Sequence, residues 1–226
     1  MSEQLTFDLP SQPALGRGDF FVSPGNEAAV EAIQSWHDWP QGKMILVGPQ
    51  GSGKTHLTHV WAAMTGAQIV NAGDVAGQVE ALASGAVAVE DADQIAGDRG
   101  AEEALFHLHN LVLAQGAALM ITANAPPIRW GLDLPDLASR MQGSAMVSLA
   151  PPDDALMAMV LVKLFNDRQI AIDADLVPYL MTRMDRSFAA AGQLVGALDQ
   201  AALTQKRRIT KALAAPVLDK LAQNEA

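Results

Sequence analysis

Eight consecutive residues, Gly48-Pro49-Gln50-Gly51-Ser52-Gly53-Lys54-Thr55, carry the pattern of a phosphate-binding loop. The pattern sets glycine at its first and sixth positions, then lysine, then serine or threonine. Glycines let the backbone turn tightly enough for successive N–H groups to face one anion-sized hollow. Lys54 supplies a cation for β- and γ-phosphates, and the Thr55 hydroxyl supplies a ligand for Mg²⁺. The residues expected to line a nucleotide are Gly48, Pro49, Gly51, Ser52, Gly53, Lys54, Thr55 and His56. An ordinary glycine turn is the competing reading, and the flanking strand and helix patterns weigh against it.

Two acids, Glu90-Asp91, end the apolar run Ala86-Val87-Ala88-Val89. In nucleotide hydrolases one acid at such a strand end holds Mg²⁺ and another polarises the attacking water. Glu90 is therefore the metal-side candidate, with Thr55, and Asp91 the water-side candidate. The usual order puts aspartate first; glutamate is one methylene longer and displaces the metal geometry. A further strand ends in Ile121-Thr122-Ala123-Asn124, where Asn124 is placed to reach a γ-phosphate. Arg140, in Leu137-Ala138-Ser139-Arg140, precedes the last strand and is a candidate for stabilising phosphoryl charge on a neighbouring subunit.

The elements that must position these groups alternate. Apolar Met44-Ile45-Leu46-Val47 reads as a buried strand, and residues 56–64 as the helix after the loop. Strands are expected at 67–71, 86–89, 118–122 and 146–149, with helices at 26–39, 75–83 and 102–114. This rhythm of continuous apolar strands and helices predicts an α/β fold, a P-loop domain with a five-stranded parallel sheet covered on both faces. After Ala150-Pro151-Pro152 the strand patterns stop, and helices are expected at 153–167, 174–184, 188–205 and 215–223. The expected organisation is a mobile tail over 1–20, a nucleotide-binding domain over 21–151 and an all-α lid over 152–226. The methionines at 157, 159, 181 and 184 are read as lid core.

Composition narrows the function classes. Half of the 226 residues are hydrophobic and 18% are charged, which supports a folded core. Cysteine is absent, so no disulfide or thiolate metal site is available. No apolar run reaches membrane-span length, and no basic-then-apolar leader opens the chain, so a cytoplasmic protein without membrane contact is expected. Fifteen basic against 25 acidic residues give a net charge of −10, a balance that points to protein partners rather than strong direct DNA binding. The one dense basic run, Lys206-Arg207-Arg208 with Lys211, is read as a solvated helix end.

Several segments together resemble a known family. Glu103-Ala104-Leu105-Phe106-His107-Leu108-His109-Asn110, Ala125-Pro126-Pro127 and Leu137-Ala138-Ser139-Arg140 are similar to the nucleotide-binding domain of the bacterial initiator DnaA, over roughly residues 20 to 205. That resemblance implies an AAA+ fold with a helical lid. It also implies a structural rather than metal-binding role for His107 and His109. Phe21-Val22-Ser23-Pro24-Gly25-Asn26 resembles the family segment near the adenine, which makes Val22 and Asn26 nucleotide contacts. The initiator continues into a basic helix-turn-helix domain, whereas this sequence ends at Ala226 without one and starts with Gln4-Leu5-Thr6-Phe7-Asp8-Leu9-Pro10. Gln4, Leu5, Phe7 and Leu9 look like the short peptide that inserts into the sliding clamp of the replicative polymerase, with apolar anchors and one hydrogen-bonding side chain.

The combination resembles the Hda family, DnaA-related AAA+ regulators. The resemblance implies ADP or ATP with Mg²⁺ as ligands, and DnaA and the sliding clamp as partners. It further implies residence in the cytoplasm, on the nucleoid through the clamp, and a role for Arg140 as an arginine finger acting in trans. Self-association stays open. The family's lid arginine falls on Gly192 when Gly196-Ala197-Leu198 is aligned with its motif; Arg183 and Arg186 lie too early by at least a turn. With Glu90, this departure argues for weak intrinsic ATP turnover at most. A self-sufficient AAA+ motor that loads or remodels DNA, and a DnaA-like DNA-binding initiator variant, are the alternatives.

Overall fold

The computed structural model describes residues 22–224. Gln4, Leu5, Phe7 and Leu9, the expected clamp contacts, and Phe21 lie outside the described residues. Five strands form one parallel sheet: β1 (Lys43–Val47), β2 (Gln68–Asn71), β3 (Val87–Glu90), β4 (Leu119–Ala123) and β5 (Met146–Ser148), in the order β2-β3-β4-β1-β5. All residues of β1 and β4 are buried, as continuous apolar runs require when helices cover both faces. Successive β1 side chains divide between two cores, because neighbours on a strand point to opposite faces. Ile45 and Val47 join Val89, Leu105, Leu108, Ile121 and Leu137 on one side. Met44 and Leu46 join Ile33, Trp61, Ala88 and Met120 on the other.

The helices of this layer are α1 (Glu27–Gln34), α2 (Lys54–Thr65), α3 (Val79–Leu82), α4 (Arg99–Ala114) and α5 (Pro135–Gln142). The helix expected over 26–39 is shorter. The Ser35 hydroxyl bonds back to the Glu31 carbonyl at 2.8 Å, and a single 3-10 turn, Trp36–Asp38, follows. There Trp39 turns inward, stacks on Trp61 with ring centroids 5.3 Å apart and donates to the Ala32 carbonyl at 2.6 Å. The helix expected over 75–83 is likewise reduced to α3, because Gly77 takes a left-handed φ of 83° that breaks the helical run.

Four further helices, α6 (Asp154–Asp167), α7 (Leu176–Met181), α8 (Phe188–Gln205) and α9 (Lys211–Asn224), pack around a separate core of Leu161, Phe165, Leu180, Leu194, Leu198 and Ile209. Asp153 caps α6 through the Leu156 N–H at 2.8 Å, and Ser187 caps α8 through the Ala190 N–H at 3.0 Å. Met157 is buried in this core and Met181 and Met184 pack against it. Met159 does not: it stands 37% exposed beside Val162, on the outer side of α6.

One buried carboxylate ties two elements together. Glu102 of α4 has no exposed surface; its Oε1 accepts from the Gly97 and Asp133 N–H groups at 2.9 and 3.1 Å, and its Oε2 from the Leu134 N–H at 2.7 Å. Burial alone pushes the carboxyl pKa up, but three backbone donors outweigh it and hold Glu102 below its ordinary value. A depressed folded pKa gives stability that is present above the unfolded value and lost as pH falls through the folded one. Glu102→Gln is therefore expected to cost about 1–3 kcal/mol at neutral pH. It should also flatten the loss of stability below about pH 4.5, as read by urea denaturation across pH.

Candidate functional site

The sheet order decides where the phosphate-binding loop sits. β1 lies between β4 and β5, with Val47 in register with Ala123 and Ser148, so the loop leaves β1 beside the carboxyl end of β4, with that of β3 one strand further on. That edge of a parallel sheet is where ligands collect in α/β folds. The Gly48 N–H is held by the Ala123 carbonyl at 3.1 Å, which starts the loop. Gly51 and Gly53 take left-handed φ values of 76° and 99°, and α2 begins at Lys54 directly behind them. The loop thus presents the N-terminal end of a 12-residue helix to its hollow.

Lys54 is the hub. Its Nζ donates to the Gly48 and Pro49 carbonyls at 2.7 and 3.1 Å and to Asn124 Oδ1 at 3.0 Å. Burial lowers its pKa, and the carboxylates of Asp91, Asp93 and Glu90 oppose that shift. Asn124 is oriented from behind: its N–H and Nδ2 donate to Asp93 Oδ2 and Oδ1 at 3.1 and 3.4 Å. An ammonium only donates and a carboxylate only accepts, so the Asn124 amide has one consistent orientation. Asp93 was not among the residues expected from sequence. Its signal was the spacing Glu90-Asp91-Ala92-Asp93, which sets a third acid one turn beyond the strand end.

The paired acids differ in setting. Asp91 has a left-handed φ of 56°, uncommon for a side chain with a Cβ, and its N–H is fixed by Thr122 Oγ1 at 3.2 Å. Among the described residues, Glu90 Oε1 and Ser52 Oγ are buried and have no hydrogen-bond partner. Two orphaned polar atoms and an exposed Thr55 hydroxyl at the mouth fit a phosphate–Mg²⁺ group. Among the described residues no three His, Asp or Glu side chains gather into an all-protein metal cage. Thr55 and Glu90 would hold such an ion together with phosphate oxygens, and the ion would supply charge neutralisation there.

The lid closes directly on the loop. The Phe188 N–H donates to the Gly51 carbonyl at 3.3 Å. A Cβ added to Gly51 would lie 2.3 Å from Ser187 Cβ, and one added to Gly53 would lie 2.8 Å from the Phe188 ring. Both glycines are thus required by backbone conformation and by the approach of α8. Ser187 and Phe188 were also missed by sequence reasoning, although the serine cap ahead of an apolar helix was visible. A Cβ added to Gly192 would meet nothing within 4 Å among the described residues beyond its own helix. Arg183 lies over the Tyr179 ring at 4.0 Å, and Arg186, next to Ser187, pairs with Asp154 at 3.1 Å.

The remaining expected residues separate. Asn26 is buried and its Oδ1 accepts from the Ser23 N–H at 2.8 Å, whereas Val22 is exposed. His56 is partly buried at the start of α2. His109 is buried against Lys43 at 3.1 Å, and His107 is exposed. Arg140 stands exposed near the end of α5 and forms no ion pair among the described residues.

A phosphate-binding loop on a parallel sheet of this order, followed by a helical domain that packs on the loop, defines the AAA+ class of P-loop NTPases. Solved structures carry the same fold. Domain III of the Thermotoga maritima replication initiation protein DnaA superposes with a TM-score of 0.79 at 18% identity, covering 94% of this chain and 98% of that one. The FIGL-1 AAA domain matches with a TM-score of 0.67 at 16% identity over 92% and 84%. AMPPCP-bound DnaA from Aquifex aeolicus matches with a TM-score of 0.67 at 17% identity over 85% and 67%. Residues 154–218 match the family model described as Hda, lid domain. The chain has the AAA+ fold, and its lid is similar to the Hda lid domain. No helix among the described residues is long and apolar enough to cross a membrane.

Proposed function

We propose that this protein is a nucleotide-bound regulator of replication initiation that docks on the sliding clamp and stimulates ATP hydrolysis on DnaA. The observation that carries the reading is the combination of an Hda-type lid with an Arg140 that is exposed and without an ion pair among the described residues, on the DnaA-like fold. The phosphate loop would hold ADP or ATP: Lys54 would exchange its loop carbonyls for the phosphates, beside an Asn124 that Asp93 orients, and Thr55 and Glu90 would hold Mg²⁺, which would neutralise phosphate charge. A bound nucleotide would be a structural ligand here, next to the Gly51–Phe188 contact with the lid, because Gly192 has no side chain, Arg183 lies over Tyr179 and Arg186 pairs with Asp154.

The chemistry then runs on the partner. Water attacks the γ-phosphorus of ATP held by DnaA, the bond to the β–γ bridging oxygen breaks, and ADP leaves. The Arg140 guanidinium stabilises the charge that develops during this transfer. Gln4, Leu5, Phe7 and Leu9 supply the clamp contact, placing the reaction on the nucleoid within the cytoplasm.

The test is ATP turnover by DnaA with this protein, the clamp and DNA added singly and together. Stimulation only with all components present is the expected result. Rapid turnover by this protein alone would establish the motor reading instead, and tight binding to random duplex at physiological salt would establish the initiator-variant reading.

A further inference from the structure

Arg140 sits on a helix whose two ends are both fastened to α4. At the start of α5, Glu102 receives the Asp133 and Leu134 N–H groups at 3.1 and 2.7 Å. Seven residues along α4, two turns away on the same side, stands His109. His109 is 3% exposed, and so is Lys43, the first residue of β1. Lys43 Nζ reaches His109 Nε2 at 3.1 Å and the carbonyl of Arg140 itself at 3.2 Å. The N–H groups of Gly143 and Ser144 go to Ser139 and Met141, so the Arg140 carbonyl takes side-chain donors: Lys43 and the Ser144 hydroxyl at 2.8 Å.

This geometry fixes the histidine tautomer. An ammonium can only donate, so Nε2 must be the lone-pair nitrogen; Nδ1 carries the hydrogen and gives it to Asn110 Oδ1 at 3.1 Å. A second proton on His109 removes the acceptor that Lys43 uses and sets two cations against each other. We propose that Lys43 and His109 are positioning residues for Arg140: together they clamp the last turn of α5, and protonation of His109 releases it. The inference rests on Arg140 acting as the finger in trans.

The surroundings keep the clamp closed at neutral pH. Burial first, and then the positive charges of Lys43 from β1 and Arg140 from α5, lower the His109 pKa, while the Asn110 bond from α4 opposes this. Burial and then Arg140 lower that of Lys43. The neutral histidine therefore persists through the ordinary range near pH 6.5, and the proton arrives only in more acid solution.

The test uses the full protein in the complete reaction with DnaA, clamp and DNA. Lys43→Met fills the same buried space without the donor. It should lower the maximal stimulated rate on the order of 10- to 100-fold, as a displaced catalytic group does, and leave the half-maximal concentration, ADP affinity and clamp retention unchanged. His109→Gln keeps an acceptor that takes no proton: its rate should stay near that of the unaltered protein at neutral pH and escape the extra loss that the unaltered protein shows in acid solution. Should Lys43→Met fail to bind ADP, the His109→Gln pH profile carries the test. Stimulation that needs Arg140 but is indifferent to Lys43→Met, or an acid loss identical in His109→Gln, would overturn the clamp alone. Stimulation that survives Arg140→Ala would overturn the finger, and the clamp with it.

Discussion

Arg140→Ala is expected to reduce stimulation of DnaA ATP turnover by about three orders of magnitude or more, the scale by which an arginine finger accelerates phosphoryl transfer. The loss should appear in the rate of the stimulated step while ADP affinity and clamp retention stay unchanged. Arg140 is exposed and unpaired among the described residues, so its side chain contributes little to the fold that its removal could disturb. Its backbone, in contrast, is held: the carbonyl takes Lys43 and the Ser144 hydroxyl, and Glu102 pins the other end of α5. An exposed cation on a fixed helix is the arrangement that trans catalysis asks for. Single-turnover measurement of phosphate release separates this from weakened docking, which would shift the half-maximal concentration instead.

Lys54→Ala has the second-largest expected effect, on nucleotide affinity. Lys54 is 7% exposed and has all three N–H donors engaged, two on loop carbonyls and one on Asn124. A bound phosphate replaces neutral acceptors with charged ones at the same ammonium. Removing one partner of such a desolvated charge pair costs roughly 2–4 kcal/mol, on the order of 30- to 700-fold in affinity for ADP and ATP. Titration calorimetry measures it. Because the loop meets the lid through Gly51 and Phe188, the variant should also lose the thermal stabilisation that ADP gives the unaltered protein.

The phosphate loop was legible because its chemistry is contiguous, with every required residue type within eight positions. The strands were legible for a similar reason: buried parallel strands are short unbroken apolar runs, and Met44 to Val47 and Ala118 to Thr122 each foretold a strand within about a residue of its bounds. What stayed hidden depends on contacts across the chain. Asp93 meets Asn124 from 31 positions away, and Lys43 meets His109 and Arg140 from 66 and 97. A lysine opening an apolar strand reads as a solvated end; only the packed fold reveals it as buried at the close of α5. The helices at 26–39 and 75–83 were overdrawn because apolar spacing continued past Ser35 and across Gly77, where a side-chain bond and a left-handed glycine end the backbone pattern. Met159 was misread as core because hydrophobicity alone does not say which side of α6 faces the other helices.

In the proposed function the nucleotide on this protein shapes it, while the hydrolysed nucleotide sits on DnaA. The most direct measurement places γ-labelled ATP on one protein at a time in the complete reaction with clamp and DNA, and follows release of labelled phosphate in a single turnover. Fast release from ATP carried by DnaA, abolished by Arg140→Ala, with only slow release from ATP carried by this protein, is the predicted result. Fast release from ATP carried by this protein, with no acceleration of the DnaA-bound label, would contradict it.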